Sequence, residues 1–325
     1  MKEDEKKPLL QTEDSKDNDE SRTISSFDFT LSKRWISGIP YEVAFWRSYY
    51  RNRSSRETLM SWSQYGKECE LDHFDVASFI ESQEMENPVI VDVGCALSYM
   101  FSNRIGGKER SVIYLDPLAP YYNKILDDYS LSYPRIKFGL GETLSIHFKK
   151  NSLSLIHVRN ALDHSVCPMM VIWQALICLR PGGVLYLNHK PNEAEHEAYI
   201  GFHQYNIDCQ NGRFVIWNRQ ERIDVGHELA GYADVKGSVT DSGRIVAVIT
   251  KTSNIPDDHK AVTENGVYAS GMLETLITYF HSAPNVIGYQ ARRGAFSLGH
   301  RMMRLLPGGL IKKIKSIISG KKATM

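Results

Sequence analysis

Acidic and imidazole side chains gather in two short stretches of this 325-residue chain. Asp163 and His164 adjoin in NALDHS, and His189 closes VLYLNH with Glu193 and His196 just after it. Imidazole titrates in the range useful for moving protons, and a carboxylate can orient it or bind a hydroxyl. His189 is the first candidate for a general base and His164 the second, with Asp163 and Glu193 as their supports. Glu193 and His196 share one face if their segment is helical. Each of these groups also has a purely structural reading as a hydrogen-bonding or solvated residue. No compact ligand spacing supports a metal, so none is assigned; an ion held by Asp163, His189 and Glu193 is the weaker alternative.

A second grouping starts in VIVDVGCALSYM, residues 89–100. A buried strand running into Asp92 and Gly94 suits a nucleotide cofactor, because glycine lets a ligand approach the backbone. A dinucleotide fingerprint would place glycines at 94, 96 and 99, where this chain has Gly94, Ala96 and Tyr99. That weakens a nicotinamide reading and leaves a nucleoside site open. Asp116, at the end of the next strand, could accept hydrogen bonds from both ribose hydroxyls, or could serve as a turn carboxylate. Glu142 could touch adenine or ribose, or be a solvated loop residue.

Short apolar runs separated by helical lengths position these groups. The pattern from residue 88 reads strand, helix, strand, with strands at VIVDV and SVIYLD. Further strands are expected in RIKFGLGE, LSLIHVRN and, after a PGG turn, VLYLNH; a helix lies near 168–179. FVIWN precedes a helix near 220–230, and ADVKGSVT and RIVAVIT form an antiparallel pair across a DSG turn. Such a series favours a mostly parallel sheet covered on both faces. IPYEVAFWRSYYRNRS, 39–54, reads as a covering helix whose aromatic residues pack.

VDVGCALS, IYLDPLAPYYNKILDDY, GLGETLS, NALDHS and LRPGGVLYLNH together resemble the class I S-adenosylmethionine-dependent methyltransferases over residues 87–252. The resemblance implies an α/β, Rossmann-like methyltransferase sheet, mostly parallel and seven-stranded with an antiparallel terminal strand and helices on both faces. It implies S-adenosyl-L-methionine as cofactor, with Asp92, Gly94 and Ala96 around the methionine. Asp116 then binds ribose, Pro117 and Leu118 lie beside adenine, Glu142 and Thr143 lie at its other edge, and Asn160 and Ala161 stand beside the methyl donor. The family's G-x-G-x-G is matched by Gly94, Ala96 and Ser98, a departure at two of three glycines. NALDHSVCPM and NEAEHEAYIGFHQYNIDCQNGRFVIWN further resemble methyltransferase-domain proteins of bacterial surface polysaccharide synthesis. That implies O-methylation of a saccharide or lipid-linked glycan precursor, with His203, Tyr205, Asn206 and Trp217 as possible pocket lining. A nonsugar metabolite and a noncatalytic scaffold at a membrane-associated assembly remain open alternatives.

The bulk properties agree with a globular domain that carries appendages. A hydrophobic fraction of 42% and a formal charge of +1 give no reason to expect nucleic acid. Residues 1–24 read as a disordered acidic tail, 25–86 as a helical cover, 87–252 as the cofactor domain and 253–325 as a helical extension. The extension ends in a basic stretch whose apolar stripe, Leu310, Ile311, Ile314, Ile317 and Ile318, could rest on an anionic membrane. No signal peptide is read at MKEDEKK, and five cysteines do not complete a disulfide framework. A cytoplasmic protein is expected, peripheral to the inner face of the membrane if the basic stretch rests there.

Overall fold

A computed structural model describes residues 29–83, 87–199 and 201–263. The acidic tail, the basic amphipathic end and most of the proposed extension lie outside the described residues. Among those described, no helix is long and apolar enough to cross a membrane.

Twelve strands are described. The main sheet uses β1 (Ile90–Val93), β4 (Val112–Asp116), β5 (Lys137–Phe138), β6 (Leu153–Arg159), β7 (Leu179–His189), β11 (Ala233–Val239) and β12 (Ile245–Lys251). Their spatial order is β11-β12-β7-β6-β1-β4-β5. All neighbours are parallel except at β12, which runs antiparallel to both β7 and β11. This is the mostly parallel, seven-stranded Rossmann-like sheet expected from the sequence. The antiparallel strand is the last of those described but second from the sheet edge.

β1 and most of β6 are buried along their length; Ile90, Val91, Val93, Leu155, Ile156 and Val158 supply the apolar surface, and the buried polar members Asp92 and His157 pair with each other. On one face, Val91, Val93, Ile156 and Val158 pack under α6 (Pro168–Cys178), all of whose side chains are buried. The opposite face is covered by α1 (Phe29–Arg51), α2 (Arg53–Trp62), α3 (Val76–Glu81) and α4 (Ala119–Asp128). Trp35, Ile39, Val43, Trp46 and Tyr50 recur at helical spacing on the buried side of α1. Short helices α5 (Leu144–His147), α7 (Glu193–His196), α8 (Val225–Glu228) and α9 (Lys260–Thr263) complete the described set.

Three local expectations are corrected. No helix joins β1 to β4; an irregular segment leads into a hairpin of β2 (Arg104–Ile105) and β3 (Lys108–Glu109). Ala96 and Tyr99 have φ of 46° and 45°, which right-handed helix forbids. Tyr99 is held there by stacking on Tyr133 at 4.5 Å and by donating to the Pro134 carbonyl at 2.6 Å. Second, PGG is not a turn before a strand but lies within β7: Leu153 pairs with Leu179 and Leu155 with Val184, so Arg180–Gly183 bulge out. Third, FVIWN belongs to an antiparallel sheet of β8 (Asn206–Gln210), β9 (Arg213–Trp217) and β10 (Arg222–Asp224). The helix expected near 220–230 shrinks to α8, because Arg222–Asp224 pair with β9 first.

Candidate active site

From β1 the chain proceeds to β4 and β5 on one side and returns to β6 on the other. The exits of β1 and β6 therefore flank the switch point, where the crevice of an open α/β sheet binds its ligand. Val93, Asp116, Arg159 and His189 all end their strands at this edge.

The β1 exit is built around Gly94, whose φ is +69°. A Cβ placed there would lie 2.3 Å from Ala161 Cβ, so Gly94 and Ala161 bring the two exit loops into contact. Ala96 follows in a left-handed conformation, and its N–H donates to Asp116 Oδ2 at 3.0 Å. Leu118 N–H donates to Asp116 Oδ1 at 2.8 Å. Asp116 is thus a buried staple between the β1 and β4 exits. Burial pushes its carboxyl up to about 7 against these two donors, and the charges of Glu42 and Asp92 add to the rise. Leu118 is buried and Pro117 half-buried beside it.

Asp92 and Glu142 are turned into the protein. Asp92 Oδ1 stands 2.7 Å from His157 Nδ1, with both side chains buried. Glu142 Oε1 accepts from Val166 N–H at 2.8 Å, which anchors the segment entering α6; burial raises its pKa against the backbone donors. Thr143 is fully buried, with its hydroxyl on the Leu140 carbonyl at 3.4 Å. Asn160 adopts φ of 48° and uses Oδ1 to accept from Lys190 N–H and Arg244 Nη2 at 2.9 and 2.8 Å. These four side chains hold the strand exits in place. Glu142→Ala leaves the Val166 N–H without its acceptor in a buried setting and is expected to cost about 1–3 kcal/mol. A lower urea midpoint at unchanged slope would report this; an unchanged midpoint would show the bond to be dispensable.

Asp163, His164 and His189 do come together, and His203 joins them. Asp163 Oδ2 lies 3.0 Å from His203 Nδ1 and 3.4 Å from His164 Nε2. The two imidazole nitrogens are 3.1 Å apart. Burial opposes ionisation of Asp163, but the charges of His164, His203 and His189 and the His203 hydrogen bond hold its pKa well below the usual carboxylate range. Burial disfavours charge on His203, yet the hydrogen bond and charge of Asp163 push its pKa up to about 9. His189 has the reverse balance. Burial drives its pKa down to about 3, despite Asp163 Oδ1 at 3.9 Å from Nδ1.

Accessibility separates these histidines. The His189 side chain is 2% exposed, whereas His164 and His203 are each 23% exposed. The latter two keep part of their edges open to solvent. Glu193, at the start of α7, pairs with Lys190 Nζ at 2.9 Å and raises His203 from the rim. Helix α1 closes over the cluster: Trp35 Nε1 donates to the His164 carbonyl at 2.7 Å, and its ring stacks on Phe202 at 4.9 Å.

Sequence spacing singled out Asp163 and His164 but read His203 only as pocket lining. Forty residues separate it from Asp163, and no local pattern announces their contact. Glu42 was likewise silent, being one acid in an aromatic helix, although its charge raises both Asp116 and His203.

No family model and no curated protein matches the chain. Among solved structures, it is similar to an S-adenosylmethionine-dependent methyltransferase from Clostridium acetobutylicum, at 11% identity and a TM-score of 0.36. That match covers 57% of this chain and 94% of the other. Similarity to a SAM-dependent methyltransferase from Methanosarcina mazei is 17% in identity with a TM-score of 0.33, covering 55% and 99%. The fold assignment rests on the chain's own strand order.

Proposed function

We propose that this protein transfers the methyl group of S-adenosylmethionine to a hydroxyl of a saccharide or glycan precursor. The observation that carries the reading is the placement of Asp163, His164 and His203 beside the switch point, where the Gly94 and Ala161 loops meet. The motif series from VDVGCALS to LRPGGVLYLNH supports the choice of cofactor.

The residues fit such a cofactor at one end of the crevice. Each Asp116 oxygen accepts one backbone N–H and retains a lone pair for a ribose hydroxyl. Pro117 and Leu118 flank the adenine side, while Asp92, Glu142, Thr143 and Asn160 support the loops from behind. When bound, the cofactor supplies a sulfonium methyl: the acceptor oxygen forms a C–O bond as the C–S bond breaks and its electron pair returns to sulfur.

A neutral sugar hydroxyl is a poor nucleophile, so removal of its proton is the protein's main chemical task. His164 receives that proton, and the Asp163 carboxylate stabilises the resulting imidazolium. His189 is sequestered behind Asp163 and does not meet the acceptor. Trp35 and Phe202 cover the site and limit water, while the histidine edges address the acceptor's hydroxyls.

Calorimetry with S-adenosylmethionine and S-adenosylhomocysteine, with NAD as control, tests the reading. Saturable binding of the first two, lost in Asp116→Ala and absent for NAD, is expected. Release of S-adenosylhomocysteine during a screen of nucleotide- and lipid-linked sugars then identifies the acceptor. No binding by the folded protein would sink the methyl-donor reading.

A further inference from the structure

Three potential ligand atoms form a small triangle at the crevice. Asp163 Oδ2 to His203 Nδ1 is 3.0 Å, His203 Nδ1 to His164 Nε2 is 3.1 Å, and His164 Nε2 to Asp163 Oδ2 is 3.4 Å. Ligands about 2.0–2.1 Å from a tetrahedral zinc ion stand roughly 3.3 Å apart along each edge, close to this spacing. The donor set, two imidazoles and one carboxylate, also suits a divalent first-row ion that keeps a position open.

Hydrogen bonding alone serves the triangle poorly. If both facing ring nitrogens carry hydrogens, two N–H groups oppose each other at 3.1 Å. If only His203 carries one, the lone pair of His164 faces the carboxylate at 3.4 Å. A single cation satisfies all three lone pairs at once.

The surroundings supply an independent pointer. His189 is 1% exposed, and neither of its ring nitrogens has a hydrogen-bond partner among the described residues. Its Nδ1 lies 3.9 Å from Asp163 Oδ1, itself without a hydrogen-bond partner there. A buried imidazole left without a partner beside the triangle's carboxylate marks a polar cluster that hydrogen bonds among the described residues do not complete.

We infer that Asp163 Oδ2, His164 Nε2 and His203 Nδ1 bind one divalent transition ion, zinc or an ion of similar size, with a coordination position open to the crevice. The open side is set by the partly exposed edges of His164 and His203, since Asp163 is only 4% exposed. A hydroxyl or a carbonyl oxygen is the class of ligand that this position takes. The metal site stands on these three side chains and does not depend on the methyl-transfer reading. If both hold, His164 would serve as a ligand rather than as the base, and the ion would hold the acceptor oxygen and acidify its hydroxyl, whose proton would pass to water.

The full chain, stripped with a chelator and dialysed, is titrated with Co²⁺ by visible absorption and with Zn²⁺ by calorimetry. One equivalent of either ion should bind, with a visible cobalt band. His203→Ala and His164→Gln should each weaken Zn²⁺ binding at least a hundredfold, while Glu57→Gln, on the exposed face of α2, retains it. Circular dichroism establishes that each variant is folded; should His203→Ala unfold, the more conservative His164→Gln carries the comparison. No saturable binding by the wild type, or unchanged affinity in His164→Gln, would overturn the site. S-adenosylmethionine calorimetry on the same samples is read separately, so failure of the metal site and failure of the methyl-donor reading are distinguishable.

Discussion

Gly94→Ala is expected to lower stability by about 3 kcal/mol or more and to abolish cofactor binding. Two costs combine. A φ of +69° charges an L-residue roughly 1–2 kcal/mol, and the new methyl would stand 2.3 Å from Ala161 Cβ. Carbon atoms pack best near 3.5–4.0 Å, so the β1 and β6 exits must part, an overpacking cost of about 1–3 kcal/mol. The midpoint of thermal unfolding should fall by roughly 6–12 °C. A second substitution separates the costs. Gly94→Ala with Ala161→Gly removes the overlap and should recover about half of the loss, leaving the backbone strain. If the double variant is no more stable than Gly94→Ala, the two loops do not meet as described.

Cofactor affinity should rise about a hundredfold between pH 5 and pH 7.5, with Asp116 as the cause. Its carboxyl is pushed up to about 7, first by burial and then by Glu42 on α1 and Asp92 on β1, while the Leu118 and Ala96 N–H groups oppose the shift. Cys95 and Tyr122, both buried, are the other titratable groups against it, and their own pKa values lie far above this window. Ribose hydroxyls donate best to the ionised carboxylate. Binding should therefore tighten about tenfold per pH unit below 7 and level off above. In the unliganded protein the sign reverses. The folded pKa exceeds the unfolded 3.8, so the native state holds an extra proton between about 4 and 7, and stability falls as pH rises through that window. Asp116→Asn should flatten both slopes. Parallel slopes in wild type and variant, after subtraction of the cofactor's own titration, would remove Asp116 from the ribose.

The sheet was largely legible because its signal is local. VIVDV, SVIYLD, LSLIHVRN and RIVAVIT are short apolar runs bounded by polar turns, and each appears as a strand. The α1 stripe was equally plain, since its buried residues recur every three or four positions. Where reading failed, a distant partner outweighed local preference. Residues 95–103 have the composition of a helix opening, but Tyr99 is drawn into a nest with Tyr65, Tyr114 and Tyr133, and the chain turns left-handed instead. The PGG bulge depends on the register that β6 imposes on β7.

The candidate site divides along the same line. Residue type and strand-end position were enough to select Asp92, Gly94, Asp116, Asp163, His164 and His189, because a parallel sheet gathers its strand exits at one edge. Which way each side chain turns was decided by packing. Asp92 faces His157, Glu142 holds the approach to α6, and His189 is sealed behind Asp163. His203 reaches Asp163 only because α7 and the turn after it fold back over the β6 exit, where Trp35 and Phe202 close the contact. The sequence alone determined which segments form the main sheet and the chemical groups at their ends, since both follow from local apolar pattern and chain direction. Only the tertiary structure decided that one carboxylate and two imidazoles meet within hydrogen-bonding reach, because that meeting depends on long-range packing that no spacing in the chain encodes.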